Sequence, residues 1–162
     1  MAREFDNNHL ITQSIIDRLM DDGALEVVNP SRLKVLKDYR KNVRRDLQAL
    51  LNARRINEAA GPEMPDLRKS LFNFGLPDFS TYSLNSPNDR VQLTQHIEDT
   101  IELFEPRLRD VKVTVLESEA GDTRILRFKI EALLQMDPAP EQILFDGVRD
   151  PGNGEFQLLG EK

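Results

Sequence analysis

Glu98, Glu102 and Glu105 stand at i, i+4 and i+7, a spacing that shares one face of a helix. Carboxylates in that array suit glycoside hydrolysis, which uses two acids roughly 5–10 Å apart. The reaction also needs one of them buried and protonated, and acids on a solvated helix face are common. Pro106 and Arg107 follow Glu105 directly, so an acid and a cation flank a proline. Other residues that do chemistry are sparse. The chain has no cysteine, which excludes disulfides and thiolate chemistry. Its two histidines, His9 and His96, lie far apart without companions at ligand spacing, and His96 reads as a structural group beside an apolar stripe. There is no phosphate-binding loop, no G-x-S-x-G elbow and no H-E-x-x-H. No cofactor and no metal are expected.

The elements around Glu105 are well marked. Ser86 offers an N-cap oxygen, Pro87 suits the first helical position, and Asp89 sits where a capping-box acid belongs. Leu93, Ile97, Ile101, Phe104 and Leu108 recur at steps of three and four, one apolar stripe. Pro106 should end the helix, because the residue before proline is pushed out of the α region. Val111, Val113 and Val115 then alternate with Lys112 and Thr114, the period of a half-buried strand. Glu105 and Arg107 therefore flank a forced turn between a packed helix and a strand.

Upstream, residues 9–22 read as a short helix with Leu10, Ile11, Ile15, Ile16 and Leu19 on one broad face, stopped by Asp21-Asp22-Gly23. It either packs on its own domain or docks on a partner. Ser31 is placed to cap a long helix through about residue 55, with Leu33, Leu36, Val43, Leu47, Leu50 and Leu51 as its seam, interrupted by Arg40. Nine cations against Asp38 and Asp46 give +7 between Arg32 and Arg55, inside a chain of −6, so the remainder carries −13. That polarity fits either a solvated face balanced by acids elsewhere or a docking surface for an acidic protein. A Gly/Pro loop, a short helix over Asp66–Asn73 and a segment packed through Phe72, Phe74 and Phe79 should follow.

Downstream, Glu117–Asp122 reads as a hairpin loop. Leu126, Phe128, Ile130 and Ala132 alternate with Arg127, Lys129 and Glu131 in the clearest strand. Ile143, Phe145 and Val148 suggest a less regular third strand. Asp150–Gly154 marks a turn, and Phe156–Leu159 a short last strand at a sheet edge able to accept another chain's strand. The fold class is α+β: N-terminal helices, then a helix and a small mixed or antiparallel sheet of about three or four strands. Residues 1–23 form a helical arm and 24–162 a single domain.

Composition narrows the function classes. A hydrophobic share of 39% and a charged share of 31% suit a soluble domain with a modest core. Net charge −6 argues against general nucleic-acid binding, which displaces counterions with cationic surface. No apolar run approaches the roughly 20 residues that span a bilayer. Met1–Asn8 is polar and carries no signal-peptide core, so a cytoplasmic protein is expected.

Four stretches carry a resemblance: Ser14–Leu19, Arg45–Arg55, Ser70–Phe79 and Phe104–Leu108. In order and spacing they make the chain similar to the TssE family, baseplate subunits of bacterial type VI secretion systems related to the lysozyme-like wedge protein of contractile-phage baseplates. The family's Glu-Pro-Arg motif falls on Glu105, Pro106 and Arg107, and its Leu-Leu-Asp-Arg-Leu pattern on Ile15, Ile16, Asp17, Arg18 and Leu19. The resemblance implies a non-enzymatic α/β subunit in each wedge of a sixfold baseplate. It would contact the wedge subunits TssF and TssG, with TssK a further candidate. It would offer the sheath subunits TssB and TssC a template for polymerisation, cytoplasmic but assembled on the membrane-docked apparatus. Glu105–Arg107 and Ile15–Leu19 would be its protein-binding residues. The rival from the residues alone is a peptidoglycan hydrolase using Glu102 and Glu105.

Overall fold

Local signals decide where each element begins and ends. The computed structural model describes residues 32–56, 63–79, 82, 86–116, 125–137, 139–150 and 152–159, with the backbone alone for 32–35. Helix α1, Arg32–Asn52, buries Tyr39, Val43, Leu47, Leu50 and Leu51 at helical spacing. It stops short of residue 55 because the chain turns to pair with another segment. Leu76 N–H donates to the Ala53 carbonyl at 2.9 Å, and Arg55 N–H to the Leu76 carbonyl at 2.9 Å. Gly75 permits that approach: its φ is +100°, and a Cβ there would lie 2.3 Å from the Ala53 carbonyl oxygen.

The short helix expected over Asp66–Asn73 is two pieces, α2 at Pro65–Arg68 and a 3₁₀ turn at Leu71–Asn73. Ser70 makes the break: its hydroxyl donates to the Leu67 carbonyl and accepts from Phe72 N–H, closing one turn and capping the next. Leu76 and Phe79 are buried, and Phe74 meets Phe104 edge-on at 5.4 Å, so the segment does pack. Leu71 points to solvent.

Helix α3, Pro87–Phe104, starts as its sequence specifies, with Ser86 Oγ accepting from Asp89 N–H at 3.3 Å. Leu93, Ile97 and Ile101 are buried on it. Leu108 does not belong to this helix. It is the buried first residue of strand β1, Leu108–Leu116, because the turn at Pro106 reverses the chain two residues earlier.

Strands β2 (Leu126–Leu134), β3 (Glu141–Arg149) and β4 (Phe156–Leu158) complete an antiparallel sheet in the order β1-β2-β3-β4. The architecture is α+β, helices followed by that sheet. Phe128, Ile130, Ala132 and Leu134 of β2 point into the core with Ile143 and Phe145 of β3, while Arg127 stays exposed on the other face. Each fully buried Leu, Ile or Phe contributes about 1.5–3 kcal/mol of apolar burial. β3 keeps a strict period of two where a less regular one was expected. Gly147, not Val148, takes its next inward position, since a Cβ there would lie 2.2 Å from the Phe128 ring.

Candidate functional site

The Glu-Pro-Arg corner is where three elements meet. Glu105 has φ −120° and ψ 78°, outside the α region as a residue before proline should be. Its N–H still closes the last helical turn on Ile101 O at 2.8 Å, and its carbonyl accepts from Leu108 N–H at 3.0 Å, opening β1. The helix ends at Phe104, so Glu105 is not on the face that carries Glu98 and Glu102. It turns inward and is 5% exposed.

Arg107 closes the corner. Its Nε donates to Glu105 Oε1 at 2.6 Å and its Nη2 to Glu105 Oε2 at 2.5 Å, a two-pronged pair. The same Nη2 reaches Asp46 Oδ2 of α1 at 2.8 Å, and the Arg107 side chain is 11% exposed. Arg45 donates to the other Asp46 oxygen at 2.9 and 3.1 Å. The Arg107 guanidinium lies 6.0 Å from the centre of the Tyr39 ring, and the Tyr39 hydroxyl donates to the Gln135 carbonyl at 3.3 Å. Gln135 N–H in turn donates to the Arg107 carbonyl at 2.8 Å. One guanidinium thus joins α1, the end of α3 and the start of β1, and the Gln135 bonds attach the end of β2.

The electrostatics follow from that packing. Burial pushes Asp46 up, but hydrogen bonds from Arg107 and Arg45 outweigh it and hold the carboxyl below its ordinary value. Burial works against the charge of Arg107, while Glu105 and Asp46 overcome it and raise its affinity for the proton. Burial raises the Tyr39 phenol.

The three glutamates first read as one array have three different surroundings. Glu98 Oε1 accepts from Val113 N–H of the edge strand β1 at 2.7 Å. Val113 lies just past the irregularity between Arg109 and Lys112, where Asp110 takes φ +52°. Glu102 is exposed, and Glu105 is buried against Arg107. Both carboxylate oxygens of Glu105 are engaged by the Arg107 guanidinium, whereas Glu102 faces solvent. His96 packs against Phe79 with ring centres 6.0 Å apart. Pro106 is exposed.

Two members of this framework escaped the sequence reading. In the sequence Asp46 is one of two acids in a basic helix. Its signal was position: three residues after Val43 and four before Leu50, it sits on the apolar seam where an unpaired acid is costly. Asn52 is the other. Its amide donates to the Phe156 carbonyl at 2.9 Å and accepts from Phe156 N–H at 2.8 Å, occupying backbone groups of the terminal strand that was expected to be open. Residues Ile15, Ile16, Asp17, Arg18 and Leu19, with the whole 9–22 helix and the 117–122 loop, lie outside the described residues.

A family profile described as baseplate wedge protein gp25 matches residues 37–139, from the first third of α1 through the ion-paired corner to the end of β2 and just beyond. The chain belongs to the gp25 family of baseplate wedge proteins. TssE is the type VI homologue of gp25, and three of the four stretches, Arg45–Arg55, Ser70–Phe79 and Phe104–Leu108, lie within the matched residues. No curated protein matches the chain. Among the described residues no helix is long and apolar enough to cross a membrane. Membership of the gp25 family makes the chain a structural component of a phage-like baseplate that assembles with other baseplate subunits.

Proposed function

We propose that the protein is the TssE-type subunit of a type VI secretion baseplate, cytoplasmic and without catalytic activity, joining the wedge core to the contractile sheath. The family match, which runs from α1 across the Glu105–Arg107 corner into the sheet, carries this reading. Residues 1–23 act as an arm on the 24–162 domain. In it Ile15, Ile16, Asp17, Arg18 and Leu19 dock on the wedge subunits TssF and TssG, with TssK a further neighbour. The sheet serves as the template on which TssB and TssC begin to polymerise, through main-chain pairing with their extended segments.

In this mechanism Glu105, Pro106 and Arg107 act by holding the helix–strand corner that presents β1. The two charges are spent on each other and on Asp46, which favours this role over direct pairing with sheath charges. Exposed Pro106 is the member of the motif that is left to touch a neighbour. The experiment replaces Glu105 and Arg107 with alanine together and follows fluorescent sheath assembly in cells, with circular dichroism on the purified chain. Sheath assembly should fail. A folded variant that builds sheaths at the native frequency would sink this role for the motif. For the arm, Ile15→Asp/Leu19→Asp should remove the wedge subunits from a pull-down; unchanged recovery would reject that assignment.

A further inference from the structure

The charges of α1 work against the helix that carries them. Lys37, Lys41 and Arg45 stand at i, i+4 and i+8, with Arg44 beside them, and like charges four apart destabilise a helix. The first turn holds no acid to complement the helix dipole. The fold accounts for only part of this excess. Arg40 pairs with Glu141, and Asp46 engages Arg107 and Arg45. Lys37, Lys41 and Arg44 make no ion pair among the described residues; both lysines are exposed and Arg44 partly so. A shallow cleft along this side is lined by Lys41, Arg44, Arg45, Gln48 and Asn52; the Asn52 amide is spent on Gln48 and Phe156, so the cations and the exposed Gln48 amide are the donors it offers.

We propose that this face of α1 docks an acidic segment of another polypeptide. The inference rests on the assembly role above, because it needs a partner chain. Charge complementarity identifies the partner's chemistry. A +7 region on a chain whose remainder carries −13 favours approach of carboxylates to this helix. The cleft has no aromatic lining, and Tyr39, the one aromatic between Arg32 and Arg55, is buried on the opposite side. Stacking of nucleic-acid bases therefore has no platform here.

The test uses the full chain and a fluorescent poly-glutamate peptide of about 20 residues in low salt, where surface charge is least screened. The variant Lys37→Ala/Lys41→Ala/Arg44→Ala should bind about tenfold more weakly and lose most of the salt dependence. Alanine is the best helix former, so α1 is kept, and circular dichroism verifies it. The control Lys112→Ala/Arg127→Ala/Lys129→Ala removes equal charge from the sheet and should stay within about twofold of the native affinity. No binding, equal loss in both variants, or tighter binding of duplex DNA or phosphatidylserine vesicles than of the peptide would overturn the proposal. So would a tenfold gain in Asp17→Asn/Asp21→Asn/Asp22→Asn, which would assign the face to the chain's own N-terminal segment. The Glu105/Arg107 sheath assay reads a different surface, so either result can fail while the other stands.

Discussion

Arg107 satisfies two acids at once, and neither can replace it for the other. Glu105 is buried and depends on Arg107 for its charged hydrogen bonds, so truncating the cation leaves an uncompensated carboxylate. Arg107→Ala is expected to lower unfolding free energy by about 3–5 kcal/mol, read by urea denaturation. Arg107→Lys should recover little of it, because an ammonium cannot reproduce the two-pronged contact that also reaches Asp46. A loss under about 1 kcal/mol for the alanine variant would mean that the corner behaves as a solvated surface pair.

Asp46 gives the same network a pH signature. Its native carboxyl titrates below its ordinary value of 3.8, so the folded state releases that proton more readily than the unfolded chain. Its contribution is fully present above the unfolded value and is lost as pH falls through the native one. The stability gap between the native chain and Asp46→Asn, measured by denaturation from pH 6 down to pH 2, should be constant near the top of that range. It should close in the acid limb. A gap that widens on acidification would reverse the sign argued here.

At the scale of elements, the sheet edges are guarded by side chains. Glu98 takes the Val113 N–H of β1, and Asn52 takes both backbone groups of Phe156 in β4. An edge strand with open donors and acceptors invites pairing with another chain, and an inserted carboxylate or amide blunts it. Glu98→Ala/Asn52→Ala should therefore self-associate at concentrations where the native chain does not, as read by light scattering on a sizing column. Identical elution at every concentration would show that these contacts only tie helices to the sheet. Any partner strand that pairs at Val113 or Phe156 must displace one of the two.

Across the described residues, α1 and α3 pack on one sheet with different tasks. α3 hands the chain directly to β1 through the Pro106 turn. α1 lies far from that turn in sequence, yet is bonded to it through Asp46 and to β4 through Asn52. Its inner side belongs to the core while its outer side keeps Lys37, Lys41 and Arg44, which make no ion pair among the described residues. The ion-paired corner, the terminal strand and the cationic face are therefore fixed relative to one another by a single helix. That is the geometry a subunit needs if neighbours are to dock on it in a set orientation.

The sequence by itself determined what short-range forces control. Ser86 and Pro87 open α3 and Pro106 closes it, because capping and the clash before proline act within a few residues. The alternation through Leu126–Leu134 was legible for the same reason, as pleating sets its period locally. Family membership was legible too, through short stretches in fixed order. What tertiary structure decided was the choice of partners. Arg107 meets Asp46 across 61 positions, Asn52 meets Phe156 across 104, and Gly147 yields its inward place to the Phe128 ring. No local pattern encodes those pairings, since each depends on which surfaces the packed core brings within hydrogen-bonding or van der Waals reach. The Glu-Pro-Arg corner shows both. Its turn was written in three adjacent residues, and its lock was completed only when α1 packed beside it.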